Sequence, residues 1–73
     1  MIPTEVQCKA LMYTCEALGV TGYKVFGGTW YLIVQGKKNL TVKDIVKIAQ
    51  AGQLTLREVA DCLFDFIEDD WEV

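Results

Sequence analysis

The sequence predicts a small α+β fold in the order α-β-β-α-α, a two-stranded antiparallel hairpin packed on three helices. Three observations predict it. Two stretches, Leu40-Thr41-Val42-Lys43-Asp44-Ile45 and Leu54-Thr55-Leu56-Arg57-Glu58-Val59, follow one local plan. Each has a Thr able to cap a helix, an acid three residues later and an apolar residue at both staple positions. The run Val20 to Gln35 is strand-like and centred on Gly27-Gly28, a pair able to take positive φ at both positions of a tight hairpin turn. The opening segment has helical apolar spacing between Pro3 and Gly19, a natural start and a natural stop.

The first helix is expected over about Thr4 to Leu18, with Thr4 and Gln7 as a further capping pair. It carries two apolar stripes, Val6, Ala10, Tyr13, Ala17 and Cys8, Leu11, Met12, Cys15, Leu18, with only a narrow charged strip of Glu5, Lys9 and Glu16. A helix apolar around most of its circumference is buried around most of it. In the hairpin, Phe26 pairs with Thr29, Val25 with Trp30 and Tyr23 with Leu32. Alternation then sets Tyr23, Val25, Trp30, Leu32 and Val34 on the face toward the helices. Lys24, Phe26, Thr29, Tyr31 and Ile33 take the other face.

A basic connector, Gln35 to Asn39, leads to the second helix, expected over about Val42 to Ala51 and ending at Gly52. Its inward side is Val42, Ile45, Val46, Ile48 and Ala49. The third helix runs from about Leu56 to Glu68 or a little beyond. Leu56, Val59, Ala60, Leu63, Phe64 and Ile67 face inward, and Cys62 and Phe66 extend the apolar side. The fourteen-residue offset between the capping motifs is no solenoid repeat, because only the starts match.

At 73 residues the chain is expected to be one domain (residues 1–73). A core of that size supplies only a few kcal/mol, so small domains commonly lean on disulfides, metals or partners. Here 52% of the residues are apolar, which predicts a homo-oligomer or an obligate complex, with Cys8, Met12 and Cys15 on the exposed side of the leading helix as the self-association residues. Cys8, Cys15 and Cys62 are odd in number, and the first two lie roughly 10 Å apart along a helix, too far to bridge. They read most simply as buried or half-buried thiols in a reducing compartment. No basic region followed by an apolar run opens the chain and no stretch approaches the length of a membrane span, so the expected compartment is the cytoplasm and no membrane partner is expected. Outside a secretory route, Asn39-Leu40-Thr41 carries no glycosylation meaning.

Histidine and serine are absent. That removes Ser-His and Cys-His nucleophiles and all histidine metal sites. Gly36-Lys37-Lys38 lacks the upstream Gly and the following Ser or Thr of a phosphate loop. No catalytic residue, cofactor or metal is expected. Asp61 and Asp65 are one helical turn apart, but solvated carboxylates keep ordinary pKa values, and so small a chain has little room for a catalytic cleft.

Charge is segregated. Residues 20–39 carry Lys24, Lys37 and Lys38 and no acid, whereas residues 54–73 carry Arg57 against seven acids. Glu58, Asp61, Asp65, Glu68, Asp69 and Asp70, with Glu72 beyond them, form an acidic stripe. It serves either as a solvated face or as a surface that meets a basic protein partner. The second and third helices invite a helix-turn-helix reading, but the would-be recognition helix presents carboxylates that phosphates repel. The expected function is therefore a non-enzymatic protein-interaction module that docks on, and blocks or regulates, another protein. By analogy of size and acidity it would suit a small inhibitor or accessory factor of phage or plasmid type. One alternative is a nucleic-acid-binding regulator using Lys24, Lys37, Lys38, Lys43 and Lys47 with Tyr31 or Phe26 as a stacking platform. Another is a self-assembling structural subunit.

Overall fold

Five helices account for the architecture of the computed structural model, which describes residues 1–71. They are α1 (Thr4–Ala17), α2 (Gly22–Phe26), α3 (Thr29–Val34), α4 (Val42–Gly52) and α5 (Leu56–Asp70). Among the described residues there is no strand, so the fold is all-α and the α+β expectation is overturned.

The correction falls entirely on the expected hairpin. The Gly-Gly turn expected from the sequence has positive φ at both positions. Gly27 has φ 59°, whereas Gly28 sits at φ −60°, ψ −25°. A pair of that kind can also turn a hairpin, so the flanks decide: the Gly27 N–H donates to the Tyr23 carbonyl and the Tyr31 N–H to the Gly28 carbonyl, which ends one short helix and starts the next. A short apolar run such as Trp30 to Val34 satisfies either period by itself. Burial decides between them. The hairpin would turn Phe26 and Ile33 away from the helices, yet these are the buried hydrophobic side chains of the two segments, 6% and 0% exposed. Gly22, Phe26, Trp30 and Ile33 recur at spacings of four, four and three, which is helical. Phe26 stacks on Trp30 at 6.0 Å between ring centroids. Trp30 in turn lies so close over Gly22 that a Cβ there would meet the indole within 2.3 Å. Only glycine fits beneath that ring.

α1 ends as its sequence predicts. Gly19 has φ 70°, its N–H donates to the Glu16 carbonyl and the Val20 N–H to the Cys15 carbonyl at 2.8 Å. This is a Schellman closure. α3 closes the same way at Gly36, and α4 does so with Gln53, not Gly52, in the left-handed position at φ 53°. Gly52 serves a different need: a Cβ there would meet Leu54 at 2.9 Å and Val20 at 3.2 Å.

The start of α1 departs from expectation. Pro3 stands at the cap with no side-chain bond, and Gln7 does not close a box on Thr4. Its amide donates to the Ile2 carbonyl at 2.8 Å and its side-chain oxygen accepts the Leu40 N–H at 2.7 Å. The Cys8 thiol donates to the Lys38 carbonyl. The basic connector is thereby clamped along the first half of α1.

The core joins Cys8, Leu11 and Cys15 of α1 to Val59, Leu63 and Ile67 of α5, closed by Ile48 and Ala49 of α4, Phe26 of α2 and Ile33 of α3. Two inward faces differ from expectation. On α4, Val42 is exposed and Asp44 is buried at 2%. On α5, Leu56 and Phe64 are about half exposed.

Candidate functional site

Among the described residues Asp44 is the buried charge, and the fold accounts for it fully. Its carboxylate accepts the Thr41 N–H at 2.9 Å and pairs with the Lys38 ammonium at 2.5 Å, and that ammonium also donates to the Asn39 carbonyl. A buried carboxylate requires such compensation. It is a structural latch between the connector and α4, not a free reactive group.

The latch reduces the lysine patch. Lys38 is committed to Asp44, and Phe26 lies buried against Trp30, so neither serves as the cation or the stacking platform of the nucleic-acid alternative. Lys24, Lys37, Lys43 and Lys47 remain exposed, as does Tyr31. Lys47 rests over the Phe26 ring at 5.9 Å.

The self-association residues on α1 also change character. Cys8 and Cys15 were expected on the exposed side, but they are core, 1% and 2% exposed, and Met12 is half-buried. α1 packs against both α5 and α3, and of its two apolar stripes only Tyr13 and Ala17 stay exposed. Burial pushes the Cys15 thiol up to about 11, so it stays protonated and unreactive at neutral pH. Cys62 is half-buried. Among the described residues no three His, Cys, Asp or Glu side chains are grouped to hold a metal ion.

α5 is the element whose outward side the fold does not use. Thr55 starts it: the Thr55 hydroxyl accepts the Glu58 N–H and donates to the Glu58 carboxylate, both at 3.1 Å. Val59, Leu63 and Ile67 fix its orientation by burial. With about 100° between successive residues, that anchoring turns Asp61, Asp65, Glu68 and Asp69 to the far side. Glu58, Asp61, Asp65, Glu68, Asp69 and Asp70 are all exposed, as the stripe reading requires, while Glu72 lies outside the described residues. Among the described residues none of these carboxylates pairs with a lysine, with Arg57 or with the N-terminus.

Their placement opposes the helix. The last turn of α5 contains no basic residue and carries Glu68, Asp69 and Asp70 at the negative end of the macrodipole. Asp61, Asp65 and Asp69 repeat at four-residue spacing, a like-charge arrangement that destabilises a helix. Beside this stripe runs an apolar flank, Leu56 and Phe64, 53% and 51% exposed. At its C-terminal end Phe64, Ile67, Glu68 and Trp71 line a cleft. A second hollow, lined by Tyr13, Glu16, Ala17 and Phe66, lies where α1 meets α5, with Tyr13 and Phe66 5.5 Å apart.

Sequence reasoning placed the stripe and missed the flank. The signal was present. The apolar positions of α5, from Cys62 and Phe66 around to Phe64, span about 200° of the helix. A helix packed from one side buries a stripe nearer 100° wide, so one edge had to remain in solvent.

No protein-family model matches the chain, and neither a curated protein nor a solved structure is similar to it. Among the described residues no helix is long and apolar enough to cross a membrane.

Proposed function

We propose that the protein is a non-enzymatic docking module that meets a basic protein partner through the outer face of α5 and thereby blocks or regulates it. One observation carries this reading: beyond the capping Glu58, the carboxylates of α5 crowd one another at one-turn spacing and gather at the negative end of the helix, and among the described residues none of them is ion-paired. A face needed only for solubility gains as much from acids at a helix N-terminus, where the dipole favours them. Acids held toward the C-terminal end, next to exposed Phe64, combine a charged rim with apolar area, the composition of a recognition surface. The cytoplasm remains the expected place of action.

The test starts from partner capture with wild type and with Asp61→Lys/Asp65→Lys as baits, followed by association rates against ionic strength. The reading expects the partner to be lost from the reversed bait and the wild-type rate to fall as salt rises. Equal capture by both baits, or a salt-independent rate, contradicts it.

A further inference from the structure

The cleft of Phe64, Ile67, Glu68 and Trp71 allows the partner's chemistry to be specified, on the footing of the docking reading above. We infer that this cleft and the flank leading to it receive a basic amphipathic helix, with a bulky apolar side chain seated against Phe64 and Trp71 and Lys or Arg residues along the edge that meets Asp61, Asp65 and Glu68.

Shape and charge point the same way. Leu56, Ala60, Phe64 and Trp71 fall on one side of α5 at intervals of four, four and seven, so the apolar row extends roughly 22 Å at 1.5 Å per residue. That is the length of a short docked helix, whose own anchors recur at three and four residues. Phe64 leaves half its surface in solvent although its neighbour Leu63, and Ile67 one turn on, are core. One wall of the cleft is itself an acid, Glu68. An uncharged apolar helix would leave that carboxylate desolvated without a partner, which disfavours it. A Lys or Arg one turn from the anchor satisfies it.

A second copy of this chain fits less well. The matching basic element would be α4, which presents two free lysines, Lys43 and Lys47, on its outer face. Two cations leave most of the six α5 acids facing one another across the contact. A nucleic acid is repelled outright.

The experiment uses the full chain, labelled with nitrogen-15, and four synthetic peptides. The first is an amphipathic helix of about five turns, with a Leu and Phe row beside a Lys row. The second is its scramble, the third replaces the apolar row with Ser, and the fourth is octalysine. The amphipathic peptide is expected to shift the resonances of Phe64, Ile67, Glu68 and Trp71. It should bind about tenfold or more tightly than the other three, the difference that burying one large apolar anchor makes. Phe64→Ser in the protein should remove that difference, and the Ser-row peptide makes the same comparison should this variant lose its fold. If all four peptides bind alike, the contact is charge alone: the inference fails and the docking reading stands. If none binds, and wild-type partner capture is also insensitive to reversal of Asp61 and Asp65, both fail. A dimer in light scattering that Phe64→Ser abolishes makes a second copy the occupant and overturns the inference.

Discussion

α4 and α5 begin with the same motif and use their acids in opposite ways. At α4 the acid is the working half of the box: Asp44 is buried, holds the Thr41 N–H and is neutralised by Lys38. The Thr41 hydroxyl completes the box only in outline, for the Asp44 N–H donates to the Thr41 backbone carbonyl at 3.1 Å. At α5 the roles reverse. The Thr55 hydroxyl takes the Glu58 N–H, while Glu58 reaches back to the Thr55 N–H only at 3.4 Å and stays in solvent. Beyond the caps the contrast widens, because α4 buries and pairs its one acid whereas α5 leaves its acids exposed and unpaired. A capping motif locates a helix start. The chain packed around it sets what each residue of the motif contributes, and charge that the fold leaves over is the charge free to act on another molecule.

The contrast between the two caps can be broken most forcefully at Asp44. Asp44→Ala strands a mostly buried ammonium and a backbone N–H, and is expected to cost about 3 kcal/mol in urea unfolding. Glu58→Ala, at a solvated position, should cost about 0.5 kcal/mol. Equal losses at the two sites would show that burial does not separate the boxes.

The hydroxyls should rank the other way. Thr55→Ala is expected to lose about 1 kcal/mol, the usual worth of a side-chain cap, and Thr41→Ala about 0.3 kcal/mol because its acid partner already holds the turn. A larger loss at Thr41 reverses the assignment of roles.

The turn between the two helices divides its roles between two adjacent residues. Gln53 occupies a left-handed position that favours glycine, while the neighbouring Gly52 is retained for the close approach of Val20 and Leu54. Gln53→Gly is therefore expected to stabilise by about 0.5–1 kcal/mol, the strain removed less the added chain entropy. Gly52→Ala is expected to destabilise, and a scan of thermal midpoints separates the two.

These differences mark how far the sequence could be read. Both capped helices and the stop at Gly19 were legible, because caps and Schellman glycines act within a few residues of chain. Residues 20–36 were not. Their turn residues and apolar content suit a hairpin as well as two short helices, and the choice rests on Trp30 covering Gly22 and on Phe26 and Ile33 entering a core built by distant elements. The acidic stripe was legible as a pattern of charge. Its apolar flank was not recognised, since the inward assignment of Leu56 and Phe64 assumed that every apolar residue of α5 could be covered. Cys8 and Cys15 failed as surface residues for a related reason: two stripes on α1 meant two neighbours within the chain, not one neighbour and one partner.

If the acids of α5 act on a partner, they are surplus to the fold. Asp65 tests this most directly, because Asp61 and Asp69 lie four residues to either side and Glu68 three residues on. Asp65→Lys turns three repulsive neighbours into attractive ones and sets a cation toward the negative end of the helix. Urea unfolding at low ionic strength should show the variant more stable than wild type by about 0.5 kcal/mol, with the gain shrinking as salt is added. A loss of stability of that size or more would mean that the stripe serves the fold, and would contradict the account.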